Sequence, residues 1–331
     1  MPELTKNDED RAPRSRQEVL YWLEGGRIGG QSAVRYLQQL APASKPNPPV
    51  GEVVRSEVDD GALQELDALV GLVQVKAMVR EIQAFVQIQN LRQAAGLKSE
   101  AQMMHMVFKG PPGTGKTTVA RILGKVFRTS EVLSKGHLVE VERADLVGEY
   151  IGHTAQKTRE AIRRALGGIL FVDEAYSLAR GGAKDFGKEA IDTLVKAMED
   201  QKGQFILILA GYPREMNAFI DINPGLRSRF STILDFPDYS PGELVAIVRY
   251  QLRERQYHLA RDVETELERY FEKLEGTQHP HAGNARMVRN LIEHAMRRQA
   301  LRLTRLPKTS QPPSREALME LRGSDFQLSS W

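Results

Sequence analysis

A short glycine-rich segment restricts the fold of this chain more than any other feature of the sequence. Residues 110–117 read Gly-Pro-Pro-Gly-Thr-Gly-Lys-Thr, which fits the phosphate-binding pattern G-x-x-x-x-G-K-S/T. The apolar run at 103–108 is typical of a buried strand, and residues 117–127 carry apolar side chains at helical spacing. A plain Gly/Pro-rich turn is the alternative, but strand, loop and helix together are the context that the motif requires. The sequence therefore predicts an α/β fold that binds a nucleoside triphosphate.

The predicted loop has a physical reason to bind phosphate. Glycines let successive backbone N–H groups point inward, and the helix that starts at the loop adds the positive end of its dipole. We expect the Lys116 ammonium to reach the terminal phosphates and the Thr117 hydroxyl to complete a Mg²⁺ shell that keeps some water. The residues predicted to contact ATP are Gly110, Pro111, Pro112, Gly113, Thr114, Gly115, Lys116, Thr117 and Thr118.

A second apolar run ends in two carboxylates. Residues 168–172 are too short and too apolar for a surface helix, and Asp173 and Glu174 follow them directly. In a parallel sheet, ligands bind at the carboxyl ends of the strands. We therefore expect Asp173 to hold Mg²⁺ and Glu174 to polarise the attacking water, from a strand neighbouring the phosphate loop. The alternative is that the two acids cap the next helix.

The composition limits the function classes. The 331 residues include no cysteine, which excludes disulfides and thiolate chemistry and fits a cytoplasmic protein. No apolar run is long enough to cross a membrane, and the charged start of the chain is unlike a signal peptide. The net charge of +3 is small, and the arginines between 297 and 305 are typical of a solvated helix face. We therefore expect neither membrane nor nucleic acid among the partners.

Composition and periodicity divide the chain into segments. Strands and helices alternate up to about residue 238, as in a mostly parallel sheet, and a capping box from Ser240 to Glu243 then opens a helical region. The predicted order is a disordered tail (1–15), a short helical segment (16–40), a Pro-rich linker (41–59), an α/β nucleotide-binding domain (60–238), a small helical lid (239–305) and a C-terminal tail (306–331).

Four motifs, in this order and spacing, resemble the AAA+ ATPases. They are the phosphate loop, the acidic strand at 169–174, the Arg-Ser-Arg sequence at 227–229 and the Gly-Asn-Ala-Arg sequence at 283–286. Residues 133–174 and 182–230 are similar to the group of stage V sporulation protein K and the related red-type Rubisco activases. The resemblance covers about residues 60–305 and implies a P-loop sheet domain followed by a helical lid.

The resemblance implies an assembly and further site residues. Such ATPases form rings, usually hexamers, with ATP and Mg²⁺ at the subunit interface. Arg229 would be the arginine finger that enters the neighbouring site, with Arg227 as the alternative, and Arg286 would be the second sensor of the lid. Without the resemblance, these arginines are typical of surface ion pairs or of a helix start.

The resemblance also implies a loop that binds a client peptide. Tyr150, Ile151 and Gly152 match an aromatic–hydrophobic–glycine loop that lines the ring pore, and residues 180–184 match a second pore loop. A core tyrosine that anchors the next helix is the alternative for Tyr150. Tyr212 occupies the position where many AAA+ proteins have a first-sensor asparagine, so the first sensor stays unassigned.

The combined prediction is an ATP-driven, sporulation-associated protein remodeller whose partners are other copies of itself and a protein client. Rubisco-activase-like remodelling of a metabolic enzyme is one alternative. A nucleic-acid motor is another, and the small net charge argues against it. A nucleotide-switched scaffold is the third, and a glutamate placed to activate water argues against it.

Overall fold

The computed structural model describes residues 61–98, 103–150, 152–180, 185–276, 283–305 and 312–328, together with a few positions between 19 and 36. The chain divides into two compact units, residues 1–56 and 57–331. In the first unit, Val19, residues 21–23, Ser32 and Tyr36 are helical, within the predicted helical segment. The predicted tail at 1–15 and linker at 41–59 lie outside the described residues.

The centre of the second unit is a sheet of five parallel strands in the order β2-β3-β4-β1-β5. The three central strands, β3, β4 and β1, are almost entirely buried, as expected for a sheet that is covered on both faces, and the edge strands β2 and β5 are partly exposed. The strands are β1 (Met106–Lys109), β2 (Leu138–Val141), β3 (Ile169–Val172), β4 (Ile206–Gly211) and β5 (Thr232–Asp235). The predicted α/β class with a mostly parallel sheet is confirmed.

Helices cover both faces of this sheet, because strand side chains alternate between them. Phe108 packs on one face and Val107 on the other. On the first face lie α1 (Gly61–Ala68), α2 (Val73–Ala94) and α3 (Lys116–Thr129). On the second lie α4 (Arg143–Leu146), α5 (His153–Ala165), a 3-10 helix (Ala175–Ala179), α6 (Gly187–Asp200), α7 (Pro213–Ile222) and α8 (Pro224–Arg227).

A helical lid with its own apolar core follows the sheet. It contains α9 (Pro241–Glu254), α10 (Val263–Gly276) and α11 (Asn284–Thr304), with a short strand β6 (His258–Leu259). The predicted capping box is present: the backbone N–H of Ser240 donates to Glu243 at 2.9 Å, and that of Glu243 donates to Ser240 Oγ at 3.4 Å. This box fixes where the chain leaves the sheet domain.

The predicted tail at 306–331 is wrong for the residues described there. Residues 312–328 form α12 (Arg315–Met319), β7 (Glu320–Leu321) and α13 (Gly323–Phe326), and β7 pairs in parallel with β6. Leu321 and Phe326 are fully buried in the lid core. Arg302, which we expected on a solvated face, instead binds Asp325 at 2.8 and 3.0 Å. These helices and this strand are too short to show a hydrophobic periodicity in the sequence, so they are recognised only by their tertiary packing.

Among the residues that the structure describes, no helix is both long enough and apolar enough to cross a membrane.

Candidate nucleotide-binding site

A cleft of about 280 Å³ lies at the carboxyl ends of β1, β3 and β4 and is closed on one side by the start of α11. It is lined by Gly110, Pro112, Gly113, Gly115, Lys116, Thr117, Thr118, Asp173, Glu174, Gly211, Tyr212, Ala285, Arg286 and Arg289. The cleft therefore brings together the phosphate loop, the acidic pair and the predicted second sensor. The acidic strand β3 is not adjacent to β1 as we expected, because β4 lies between them.

The phosphate loop has the left-handed turns that its glycines allow. Gly113 has a φ of +78° and Gly115 a φ of +95°, and Gly115 precedes α3 without any side-chain cap. The N–H groups at the start of α3 are therefore not occupied by a capping side chain, as an anion site at a helix start requires. The loop geometry fits a bound phosphate.

Lys116 is folded over this loop. Its ammonium donates to the carbonyl oxygens of Gly110 and Pro111, both at 2.7 Å. Burial lowers the pKa of Lys116 to about 8, while Asp173 raises it and Arg286 lowers it. A charge that is poorly solvated in this way gains most when an anion binds beside it.

Two predicted loop residues support the loop instead of lining the cleft. Thr114 is fully buried, and its hydroxyl donates to the carbonyl of Pro111 at 2.8 Å. The Tyr239 hydroxyl donates to the carbonyl of Thr114 at 3.2 Å. Pro111 and Thr114 are absent from the cleft lining.

The acidic pair faces the loop. Glu174 has a φ of +44° and precedes the 3-10 helix, yet its side chain makes no capping hydrogen bond, so the capping alternative is wrong. Asp173 Oδ1 accepts a 2.9 Å hydrogen bond from the backbone N–H of Glu174. Asp173 and Thr117 line the same cleft, so one carboxylate and one hydroxyl are available for Mg²⁺. The described residues contain no group of three or more His, Asp or Glu suited to a metal ion. A Mg²⁺ ion bound to phosphates does not require such a group, because phosphate oxygens and water supply most of its ligands.

The lid contributes two arginines. Arg286, the predicted second sensor, lines the cleft together with Arg289 one helical turn later. Arg289 was missed by the sequence reasoning, although its i, i+3 spacing from Arg286 was a usable signal. Both arginines carry positive charge to the phosphate side of the cleft.

Asn284 connects the lid to the loop and was not identified as a site residue from the sequence. It is 3% exposed and has a φ of +48°. Its amide oxygen accepts from the backbone N–H of Tyr239 at 3.0 Å. Its amide nitrogen donates to Asp238 at 2.7 Å and to the carbonyl of Pro112 at 3.4 Å. Asparagine is one of the few residues that tolerates this left-handed conformation.

The two finger arginines do not line the cleft of their own chain. Arg229 forms an ion pair with Glu199 and donates to the carbonyl of Gly225 at 2.7 Å, and its Nε is buried without a partner among the described residues. Arg227 is 76% exposed and lies 3.5 Å from Asp221.

The predicted pore residue Tyr150 is 65% exposed, so the core alternative for it is wrong. Its ring lies edge-on to His153, with centroids 5.4 Å apart. Gly152 has a φ of +83°, with open space where a Cβ would stand. Ile151 and residues 181–184 lie outside the described part of the chain. Tyr212 lines the cleft, as a water-binding hydroxyl there would need.

Comparison with known proteins identifies the family. The family model of the "ATPase family associated with various cellular activities (AAA)" matches residues 106–238, and the AAA lid domain matches residues 240–330. Stage V sporulation protein K of Bacillus subtilis (strain 168) is 56% identical over 254 residues, 75% of this chain and 79% of that protein. Protein CbbX of Cereibacter sphaeroides is 44% identical over 269 residues, 81% of this chain and 86% of that protein.

A third relative is the chloroplastic ribulose bisphosphate carboxylase/oxygenase activase of Cyanidioschyzon merolae (strain NIES-3377 / 10D), 44% identical over 247 residues, 74% of this chain and 84% of that protein. The predicted resemblance is confirmed. The lid match continues to residue 330 and agrees with the folded segment at 312–328. The chain therefore belongs to the AAA+ ATPases, and it hydrolyses ATP.

Proposed function

We propose that this ATPase remodels a protein client by pulling on a peptide at the pore of a ring, and that the ring has six members, as is usual for the family. The observation that carries the proposal is the exposed ring of Tyr150, on the loop between α4 and α5. An exposed aromatic ring contacts peptides by stacking and apolar contact without reading their sequence. Gly152 allows this loop to change conformation.

In the proposed mechanism, the loop N–H groups and Lys116 bind the phosphates of ATP. Thr117 and Asp173, together with water, would hold Mg²⁺, which would supply positive charge against the phosphates. Glu174 accepts the hydrogen bond of the attacking water and orients it for in-line attack on the γ-phosphate. Arg286 and Arg289 stabilise phosphate charge from the lid side of the cleft.

We propose that the site is completed by a neighbouring subunit. Neither Arg229 nor Arg227 is among the residues that line the cleft of their own chain, which supports a role in trans. Arg229 is the proposed finger, and in the single chain Glu199 holds its guanidinium until a neighbour's phosphates compete for it. Arg227, which is far more exposed, is the alternative finger.

The finger assignment is tested by mixing inactive subunits. Lys116→Ala subunits cannot bind ATP but carry intact arginines, and Arg229→Ala subunits have the opposite defect. We expect the mixture to recover a measurable part of the ATPase rate, because some interfaces pair an intact loop with an intact finger. The same mixture with Arg227→Ala is the matched comparison. A mixture no faster than the sum of its parts contradicts a finger in trans.

The identity of the client is proposed from the relatives. The similarity to stage V sporulation protein K favours a client of spore formation, with a metabolic enzyme as the alternative suggested by the activase. Unfolded protein, single-stranded DNA and duplex DNA would each be tested as stimulants of the ATPase rate. Stimulation by protein alone supports the remodeller, whereas stimulation by DNA supports a nucleic-acid motor. A Glu174→Gln variant, which holds ATP, would then be used to retain the client for identification.

A further inference from the structure

Arg143, the first residue of α4, binds the 3-10 helix that follows the acidic pair. Its Nη1 donates to the carbonyl oxygen of Ser177 at 2.6 Å, and its Nη2 donates to Asp185 Oδ1 at 2.6 Å. The same Asp185 oxygen accepts from the backbone N–H of Gly187, at the start of α6, at 3.0 Å. The Asp185 side chain is only 13% exposed, so water screens this ion pair less than it screens a surface pair.

Ser177 in turn is joined to Glu174. The backbone N–H of Ser177 donates to the carbonyl oxygen of Glu174 at 2.7 Å, which closes the turn after the acidic pair. Glu174 has a φ of +44°, in the left-handed region that is unfavourable for a residue with a Cβ. Such a conformation persists only where the surrounding structure holds it. The contact of Arg143 with Ser177 is part of that surrounding structure.

The guanidinium of Arg143 is enclosed and its helix is fixed. A Cβ added to Gly187 would stand 3.0 Å from Arg143 Nη1 and 2.0 Å from the carbonyl oxygen of Leu178, so the start of α6 lies directly on both groups. On its other side, α4 is bound to α5, because the fully buried Thr158 donates its hydroxyl to the carbonyl of Leu146 at 3.1 Å. Arg143 therefore reaches the 3-10 helix from a rigid base.

We infer that Arg143 is a positioning residue for ATP hydrolysis: through Ser177 it holds the turn that directs Glu174 at the attacking water. This inference rests on the proposed role of Glu174. A guanidinium donates from nitrogens fixed in one plane, so two bonds from Arg143 orient the turn more firmly than one bond from a flexible ammonium. Arg143 is absent from the lining of the nucleotide cleft, so it acts on hydrolysis without contacting ATP.

The Arg143→Met variant tests this role, because methionine is unbranched and makes neither hydrogen bond. We expect kcat to fall about 10–100-fold, the scale of a misplaced catalytic group. The KM for ATP should stay within about twofold, and each subunit should still bind one fluorescent ATP analogue. Arg163→Met is the matched control, since Arg163 forms an exposed ion pair with Glu160 on α5 and should keep the wild-type kcat.

Hydrogen exchange followed by mass spectrometry tests the turn itself, without any hydrolysis. In Arg143→Met the backbone amide of Ser177 should exchange faster, because its bond to the Glu174 carbonyl opens more often. Amides of α5 and of the lid should exchange as in the wild-type protein. Asp185→Asn supplies a second, milder variant: it keeps an oxygen that can accept from Arg143 but removes the charge, so kcat should fall less than in Arg143→Met.

The outcomes separate positioning from a general loss of structure. A wild-type kcat in Arg143→Met, or unchanged exchange at Ser177, would overturn the inference. A loss of ATP-binding sites in step with kcat, in both variants, would mean partial unfolding and would also overturn it. If Arg143→Met does not fold, a wild-type kcat in Asp185→Asn overturns the inference, and a reduced kcat with full ATP binding supports it. If Glu174→Gln turned over at the wild-type rate, the proposed role of Glu174 would fail instead, whereas faster exchange at Ser177 would still show that Arg143 holds the turn.

Discussion

Asn284 offers the most direct test of how the lid is joined to the nucleotide site. We consider its replacement by alanine and, separately, by glycine. Both variants remove the hydrogen bonds to Tyr239, Asp238 and Pro112. Only the alanine variant must also place a Cβ in the left-handed conformation at a φ of +48°.

The expected cost follows from these contacts. The bond to the backbone of Tyr239 and the bond to the Asp238 carboxylate are short, and together their loss should cost about 2–4 kcal/mol. The 3.4 Å bond to Pro112 is long and adds little. A left-handed residue with a Cβ costs about 1–2 kcal/mol more than glycine. Asn284→Ala should therefore be less stable than Asn284→Gly by about 1–2 kcal/mol, and both less stable than the wild-type protein.

The measurement is urea denaturation followed by circular dichroism, with ATP affinity measured on the same samples. Affinity should fall in both variants, because Asn284 fixes the start of the helix that carries Arg286. Asn290→Ala is the matched control, since Asn290 lies on α11 with its side chain exposed and should lose neither stability nor affinity. Equal destabilisation by alanine and glycine would refute the argument from backbone conformation. Unchanged stability in both would refute the role of the hydrogen bonds.

Three further predictions concern other parts of the unit. Lys116→Ala should abolish binding of a fluorescent ATP analogue, whereas Glu174→Gln should bind it normally and release no phosphate. Tyr150→Ala should lose client-stimulated ATPase activity without a change in melting temperature, because its exposed ring leaves no cavity behind; a large fall in melting temperature would refute this. Burial lowers the pKa of His105 to about 4 from its usual 6.5. Between about pH 4 and pH 6.5 the native state therefore binds fewer protons at His105 than the unfolded state does. The free energy of unfolding should fall as the pH drops below 6.5, by roughly 2 kcal/mol at pH 5. Denaturation midpoints at pH 7 and 5 measure this loss, and a His105→Gln variant should lack this part of the pH dependence.

The sequence was sufficient to predict those parts of the site whose residues are adjacent in the chain. The phosphate loop is one continuous segment, and the turns at Gly113 and Gly115 depend on residue types that can be read directly. The acidic strand was recognisable for the same reason, since its apolar run and its two carboxylates are adjacent. These segments could be placed on one sheet edge because parallel strands end on the same side.

The sequence was insufficient to predict the role of a residue that depends on contacts with residues far away in the chain. Asn284 became important only through partners 45 and more residues away. The burial of Leu321 and Phe326 depends on packing against the lid helices, which no local pattern in a charged, Pro-rich segment indicates. The order of the strands, with β4 between β1 and β3, is also a tertiary property.

The backbone itself joins the lid to the phosphate loop. The N–H of Ala285 donates to the carbonyl of Gly113 at 3.1 Å. A Cβ on Gly113 would stand 2.9 Å from the backbone nitrogen of Arg286, so this glycine leaves just enough space for the start of α11. Because the contact is made by main-chain atoms, a rotamer change cannot absorb a shift of the loop. A rearrangement of the loop on phosphate release must therefore either move α11 or break the Ala285 hydrogen bond. In both cases the nucleotide state acts on the lid as a rigid element, and this is the mechanical link between hydrolysis and movement that the proposed remodelling activity needs.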